Sequence, residues 1–205
     1  MAYFQYGQKE IDYLKKRDKR LAQAIEKIGH IERKINPDVF ASLVEIIVGQ
    51  QISSKAAQTV CNRLYELPGG VTPMSIAQTD PDTIQKLGMT MKKAGYIKDI
   101  AEAAISGRFD IAALHTMSDE AIIKELTSFN GIGTWTAEMV LIFSLCRPDV
   151  ISYGDLAIRR GLMNLYDLKE LSRDQFGKFR KRCSPYGSVA SLYLWQISHG
   201  DGRNN

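Results

Sequence analysis

Apolar residues in this chain recur at intervals of three and four and almost nowhere alternate, a pattern that restricts it to helices. Ile11, Leu14, Leu21, Ile25 and Ile28 predict one apolar helical face across residues 8–29. Asn36-Pro37 predicts an N-cap followed by proline at the first helical position. Behind it, Phe40, Leu43, Val44 and Ile47 form a second stripe, and Ala57, Val60, Cys61 and Leu64 a third. Asp80-Pro81 opens a short helix that Gly88 can close, and a helix over 90–105 ends near Ser106-Gly107. Ser118 and Ser172 are placed to cap helices over 119–127 and 173–183. With no period-two run and no Asn-Gly hairpin, the expected fold class is all-α, with about ten short helices. The loop 68–73 and the terminus 200–205 are the segments expected to move most.

Composition narrows the class further. The chain has 205 residues, 44% hydrophobic and 24% charged, which is ordinary for a globular protein. No apolar run reaches the roughly 18 residues that span a bilayer, and the first residues lack the basic-then-apolar pattern of a signal peptide. Three cysteines, Cys61, Cys146 and Cys183, cannot make a disulfide framework or a four-cysteine zinc or iron–sulfur site. These features predict a reducing, intracellular setting without membrane insertion. The net charge of +4 is mild, but residues 155–183 hold eight basic side chains against four acidic ones. Such a stretch is either a solvated face or a surface for phosphates. His30, His115 and His199 lack ligand spacing and receive no role.

The most informative segment is Leu-Thr-Ser-Phe-Asn-Gly-Ile-Gly-Thr-Trp-Thr-Ala at 126–137, between two helical patterns. Two glycines around one apolar residue predict a tight hairpin, with Ile132 plugging the space between the helices. The second helix starts there, so its amides and positive dipole end can hold a phosphate. About twenty residues on, Gly154-Asp155 sits at a helix mouth, where Asp155 has the chemistry of an N-cap.

The segment F-x-G-I-G-x-W-T-A followed by Gly154-Asp155 resembles the helix-hairpin-helix base-excision DNA glycosylases. Ile-Ile-Val-Gly-Gln-Gln-Ile-Ser-Ser-Lys-Ala-Ala at 46–57 is similar to that family's helix-to-loop segment that enters the DNA stack. Leu87-Gly88 with Lys93-Ala94-x-Tyr96-Ile97 is similar to its L-G-x-x-x-x-K-A-x-x-I element. Together these motifs resemble the 3-methyladenine DNA glycosylase II branch, in a minimal form without the N-terminal β-domain of longer members. Asn130 and Ser152 stand where that pattern often has proline.

The resemblance implies two helical lobes with an active cleft between them: a central lobe at about 36–115, and a second from about 8–35 plus 116–200 carrying the hairpin. It implies that Asp155 is the catalytic carboxylate, with Trp135 and Tyr186 in the substrate pocket, whereas Trp195, ending the apolar run 192–195, is expected in the core. Gln51 is the expected wedge in DNA, with Gln50 as second choice. Gly131, Gly133, Thr134, Ser53 and Lys55 are the expected contacts to the DNA backbone. The carbonyls of Thr127, Phe129 and Ile132 would hold a structural sodium or potassium ion. No cofactor is expected for catalysis and no iron–sulfur cluster. Glycosylases that also cut the strand carry a lysine at position 135, so Trp135 implies a monofunctional enzyme. The expected partner is double-stranded DNA with alkylated bases, met by a monomer wherever the cell keeps its DNA. A non-catalytic helix-hairpin-helix DNA-binding protein, or a glycosylase for another lesion, remains open at this point.

Overall fold

The computed structural model describes residues 2–200, so the expected fraying beyond Gly200 lies outside the described residues. Those residues form twelve α-helices, one 3-10 turn and a single two-residue strand pair. The all-α expectation holds. None of the helices is long and apolar enough to cross a membrane. The chain divides into two compact units, Met1–Ile35 with Cys146–Asn205, and Asn36–Leu145.

In the first unit the helix expected over 8–29 is two helices, α1 (Gln8–Arg17) and α2 (Lys19–Ile28). The apolar face survives, with Leu14, Leu21 and Ile25 buried, but the backbone breaks at Asp18. Asp18 is extended (φ −148°), and its carboxylate accepts from the Arg20 and Leu21 amides at 3.1 and 3.0 Å. An aspartate that can cap from within an apolar repeat offers the chain an alternative to continuous helix. Strands β1 (Ala2–Tyr3) and β2 (Lys34–Ile35) pair antiparallel and are too short to show any period. Helix α10 (Leu156–Tyr166) packs on α12 (Gly187–Ser198) so closely that a β-carbon at Gly161 would lie 2.2 Å from the Leu194 carbonyl oxygen. Helix α12 is buried from Gly187 through Leu194, the signature of a central helix rather than an amphipathic one. Helix α11 (Arg173–Cys183) starts at a Ser172–Gln175 capping box and turns Phe176, Phe179 and Cys183 inward.

In the second unit α3 (Val39–Gly49) is capped by Asp38, one residue beyond the expected proline start. Asn36 instead accepts from the Asp38 amide (3.1 Å) and donates to Glu45 (3.2 Å), which leaves the capping oxygen to Asp38. Helix α4 (Ser54–Tyr65) follows, then α5 (Pro73–Gln78), which was not expected, α6 (Pro81–Lys86) and α7 (Met91–Ile105). Both α5 and α6 pack on α7. The Ser118-capped helix is α8 (Asp119–Thr127), and α9 (Thr134–Phe143) completes the unit. Helix α9 packs on both α8 and α3. That contact places the hairpin with α3, so the division falls after residue 145 and not near 115 as expected.

Candidate active site

The hairpin between α8 and α9 is set by packing below and glycine above. Phe129 and Ile132 are buried, and the Ile132 amide donates to the Phe129 carbonyl at 3.2 Å. Phe129 meets Phe109 edge-on with ring centroids 5.1 Å apart. Gly131 has φ +82° and lies against the Tyr96 ring of α7. Gly133 is different: its φ is −95° and nothing lies within 4 Å of where a β-carbon would stand. It is the N-cap of α9, and no side chain caps that helix. The first amides of a helix have no acceptor within it, and the space beside Gly133 at this positive dipole end is open. Thr134 beside it is exposed and Trp135 is half-buried.

Helix α3 ends at Gly49, and Gln51 then takes φ +60°, a left-handed conformation rare for a residue with a side chain. Gln51 is exposed. Gln50, the second choice for the wedge, is turned into the protein: its Nε2 donates to the Gly131 carbonyl (3.0 Å) and to Thr136 Oγ1 (3.2 Å). A side-chain amide held by two acceptors inside the unit is not available to fill a gap in DNA. Ser53 caps α4, its Oγ accepting from the Ala56 amide, and both Ser53 and Lys55 are exposed. Lys93, in the K-A-x-x-I segment, meets the same turn. Its Nζ donates to the Val48 and Gln50 carbonyls at 2.8 and 2.6 Å, and burial pulls its pKa below the ordinary lysine value.

Asp155 in the first unit is 8% exposed and caps α10, as its position predicted. Its Oδ1 accepts from the amides of Ala157 (2.8 Å) and Ile158 (2.9 Å). The cap therefore fixes the carboxylate plane through one oxygen and keeps the group on a rigid helix end. The next residue, Leu156, is 75% exposed, which is unusual for a leucine. Just upstream, Tyr153 carries the guanidinium of Arg159 at 5.1 Å and of Arg173 at 4.5 Å from its ring centroid. Arg182 and Lys178 are paired with Asp18 and Asp174, whereas Arg160, Lys169, Arg180 and Lys181 have no ion-pair partner among the described residues. Tyr186 is half-buried, edge-on to Tyr13 at 5.1 Å, and lies in the short connection before α12 as its N-cap. Trp195 is half-buried with Arg33 5.8 Å from its ring.

The candidate cation ligands fit their ion in kind. Thr127, Phe129 and Ile132 offer neutral carbonyl oxygens, and the Phe129 oxygen, already accepting one amide, has a second lone pair. Hard, uncharged donors suit an alkali cation rather than a transition metal. No group of three His, Cys, Asp or Glu able to hold a metal occurs among the described residues. A cluster needing four thiolates does not fit three cysteines, whose thiols burial pushes up, Cys61 to about 11.

Comparison with known proteins gives the family. A family model described as HhH-GPD superfamily base excision DNA repair protein matches residues 44–185. DNA-3-methyladenine glycosylase 1 of Schizosaccharomyces pombe is 35% identical over 164 residues, covering 78% of this chain and 72% of that protein. Among solved structures, a DNA-3-methyladenine glycosidase from Bacillus halodurans is similar with TM-score 0.84 and 36% identity, covering 98% of this chain and 94% of its own. The S. pombe 3-methyladenine DNA glycosylase in complex with abasic DNA has TM-score 0.84 and 31% identity, covering 96% of this chain and all (100%) of that one. A hairpin with a bare helix start, an aspartate held on a helix end behind it in sequence, and these relatives lead to one conclusion: the chain belongs to the HhH-GPD superfamily of base excision DNA repair proteins.

Proposed function

We propose that this protein is a monofunctional DNA glycosylase that hydrolyses the bond between deoxyribose and an alkylated purine of the 3-methyladenine or 7-methylguanine type, leaving an abasic site. The observation that carries the reading is the Asp155 carboxylate, buried and oriented by two amides at the position the family motif reserves for its acid. When the C1′–N bond breaks, its electron pair leaves with the base and positive charge grows on the sugar. A fixed carboxylate in a poorly solvated place stabilises that charge without reorganising. Water then adds to C1′ and its proton passes to the carboxylate or to solvent. An alkylated purine already carries positive charge, so it departs without a strong acid.

The other residues take parts their chemistry suits. The target is hidden in the stack, so the nucleotide is flipped out, and Gln51 on its left-handed turn fills the gap and hydrogen-bonds the widowed base. The amides of Gly131, Gly133 and Thr134 grip a phosphate without reading sequence, and Ser53 and Lys55 approach the strand on the other side of the wedge. Thr127, Phe129 and Ile132 would hold a monovalent cation, which adds positive charge where phosphate docks. Trp135 and Tyr186 offer electron-rich faces to a cationic base, an attraction of about 0.5–2 kcal/mol. The protein works as a monomer on double-stranded DNA, in the compartment that holds it.

The test is release of labelled bases from methylated duplex DNA, identified by chromatography, for wild type and Asp155→Asn. Loss of release with retained binding to abasic duplex supports the reading. Full release by D155N would place the chemistry on another residue, and no release by the wild type would leave a DNA-binding protein without glycosylase activity. Binding should weaken steeply with salt, because phosphate contacts release counterions.

A further inference from the structure

We infer that Lys93 and Gln50 are positioning residues that hold the Gln51 turn in the shape it needs to enter DNA. The inference rests on the proposed wedge role of Gln51.

A helix ends with carbonyls that have no partner inside it, and a turn at such an end is ordinarily free to adjust. Here it is tied from two sides. The Lys93 ammonium, reaching across from the first turn of α7, takes the carbonyls of Val48 and Gln50. The Gln50 carbonyl belongs to the peptide unit joining Gln50 to Gln51. A short charge-assisted bond to it, 2.6 Å, therefore fixes the orientation of the very plane from which Gln51 departs. The Gln50 side chain makes the second tie, to Gly131 at the hairpin and Thr136 in α9. Gln51 itself sits at φ +60°, a conformation that persists only where surroundings over-determine it. Gln50 is the C-cap of α3, so one ammonium both closes the helix end and holds the residue before the wedge, while the Gln50 side chain links that turn to the hairpin.

The consequence is that ordering the wedge is done in the free protein and not at the moment of flipping. The two segments that touch DNA in this unit, wedge turn and hairpin, are also held in register with each other through one glutamine.

The test uses duplex DNA with an abasic site and 2-aminopurine as its stacked neighbour, whose fluorescence rises when a wedge unstacks it. Wild type, K93M, Q51A and the K93M/Q51A double variant are compared, together with K93R. The expected result is a drop of about tenfold in the unstacking equilibrium for K93M, equivalent to 1.4 kcal/mol. K93R should recover most of it, and K93M should have no further effect once Gln51 is alanine. Additive losses in the double variant would mean that Lys93 does not act through Gln51, and would overturn the inference. An impaired Q51A beside an unaffected K93M overturns the positioning role alone. An unaffected Q51A overturns the wedge and the positioning together. Should K93M melt below the assay temperature, Q50L carries the same cycle, because it cuts the tie to Gly131 and Thr136 and spares the Lys93 bonds.

Discussion

Gly131 lies so close to Tyr96 that a β-carbon on it would stand 2.1 Å from the ring Cδ2 and 2.5 Å from Cε2. The hairpin glycine thus does two things: it adopts φ +82° and lets the turn approach an aromatic ring of α7 closely. Neither the φ nor the clearance can be met by alanine without movement of the hairpin.

G131A should therefore lose stability by about 2–4 kcal/mol, the sum of left-handed strain and overpacking. Thermal melting measures it. Adding Y96A removes the collision and leaves the strain, so the double variant should recover only part of the loss relative to Y96A alone. An unchanged melting temperature for G131A would show that the hairpin yields freely.

At Asp155 the cap and the chemistry separate by substitution. Asparagine keeps an oxygen for the Ala157 and Ile158 amides, whereas alanine keeps none. D155N should stay within about 0.5 kcal/mol of wild type in stability while D155A falls by about 1 kcal/mol. Base release should fall at least about a hundredfold in both. Activity that followed stability across the pair, surviving in D155N and lost in D155A, would reduce the residue to a cap.

Asp18 gives a pH signature. Burial alone would raise its pKa, but the Tyr166 hydroxyl, the Leu21 amide and Arg182 outweigh it and hold the carboxyl below its usual range. A depressed pKa contributes stability that is present above the unfolded value of about 3.9 and is lost as pH falls through the lower folded value. D18N keeps the cap and loses the charge, so near pH 7 it should be less stable by on the order of 2 kcal/mol. That gap should close as pH drops below about 4. Urea unfolding across pH measures both, and a constant gap would refute the assignment.

Incubation with abasic duplex and borohydride should trap no covalent adduct. A Schiff base needs an uncharged amine at the sugar. Position 135 is tryptophan, and Lys124, the nearest preceding lysine, lies a turn from the end of α8 on the far side of the hairpin in sequence. An adduct on denaturing gels would reassign the protein to the strand-cutting glycosylases.

Most of the helical layout was legible because it is local. Ser118, Thr90, Asp80 and Ser172 cap the helices that follow them, and Gly88 and Gly107 have the positive φ their positions suggested. The Asp155 cap was legible for the same reason, beside a motif. The errors arose where two local solutions compete. Asp18 could continue a helix or cap a new one, and Tyr166 and Arg182, distant in sequence, reward the cap. Asn36 and Asp38 could each begin α3, and Glu45 occupies Asn36.

Short-range pattern and capping chemistry suffice to make this chain helical and to present one hairpin and one anchored carboxylate, since both are written in neighbouring residues. Folding alone decides that Gln50 faces inward, that Lys93 grips the turn before Gln51 and that the hairpin packs in the unit of α3. Each of these depends on a partner from another helix, and a hydrogen bond or a packing contact has no existence until the chain brings its two ends together.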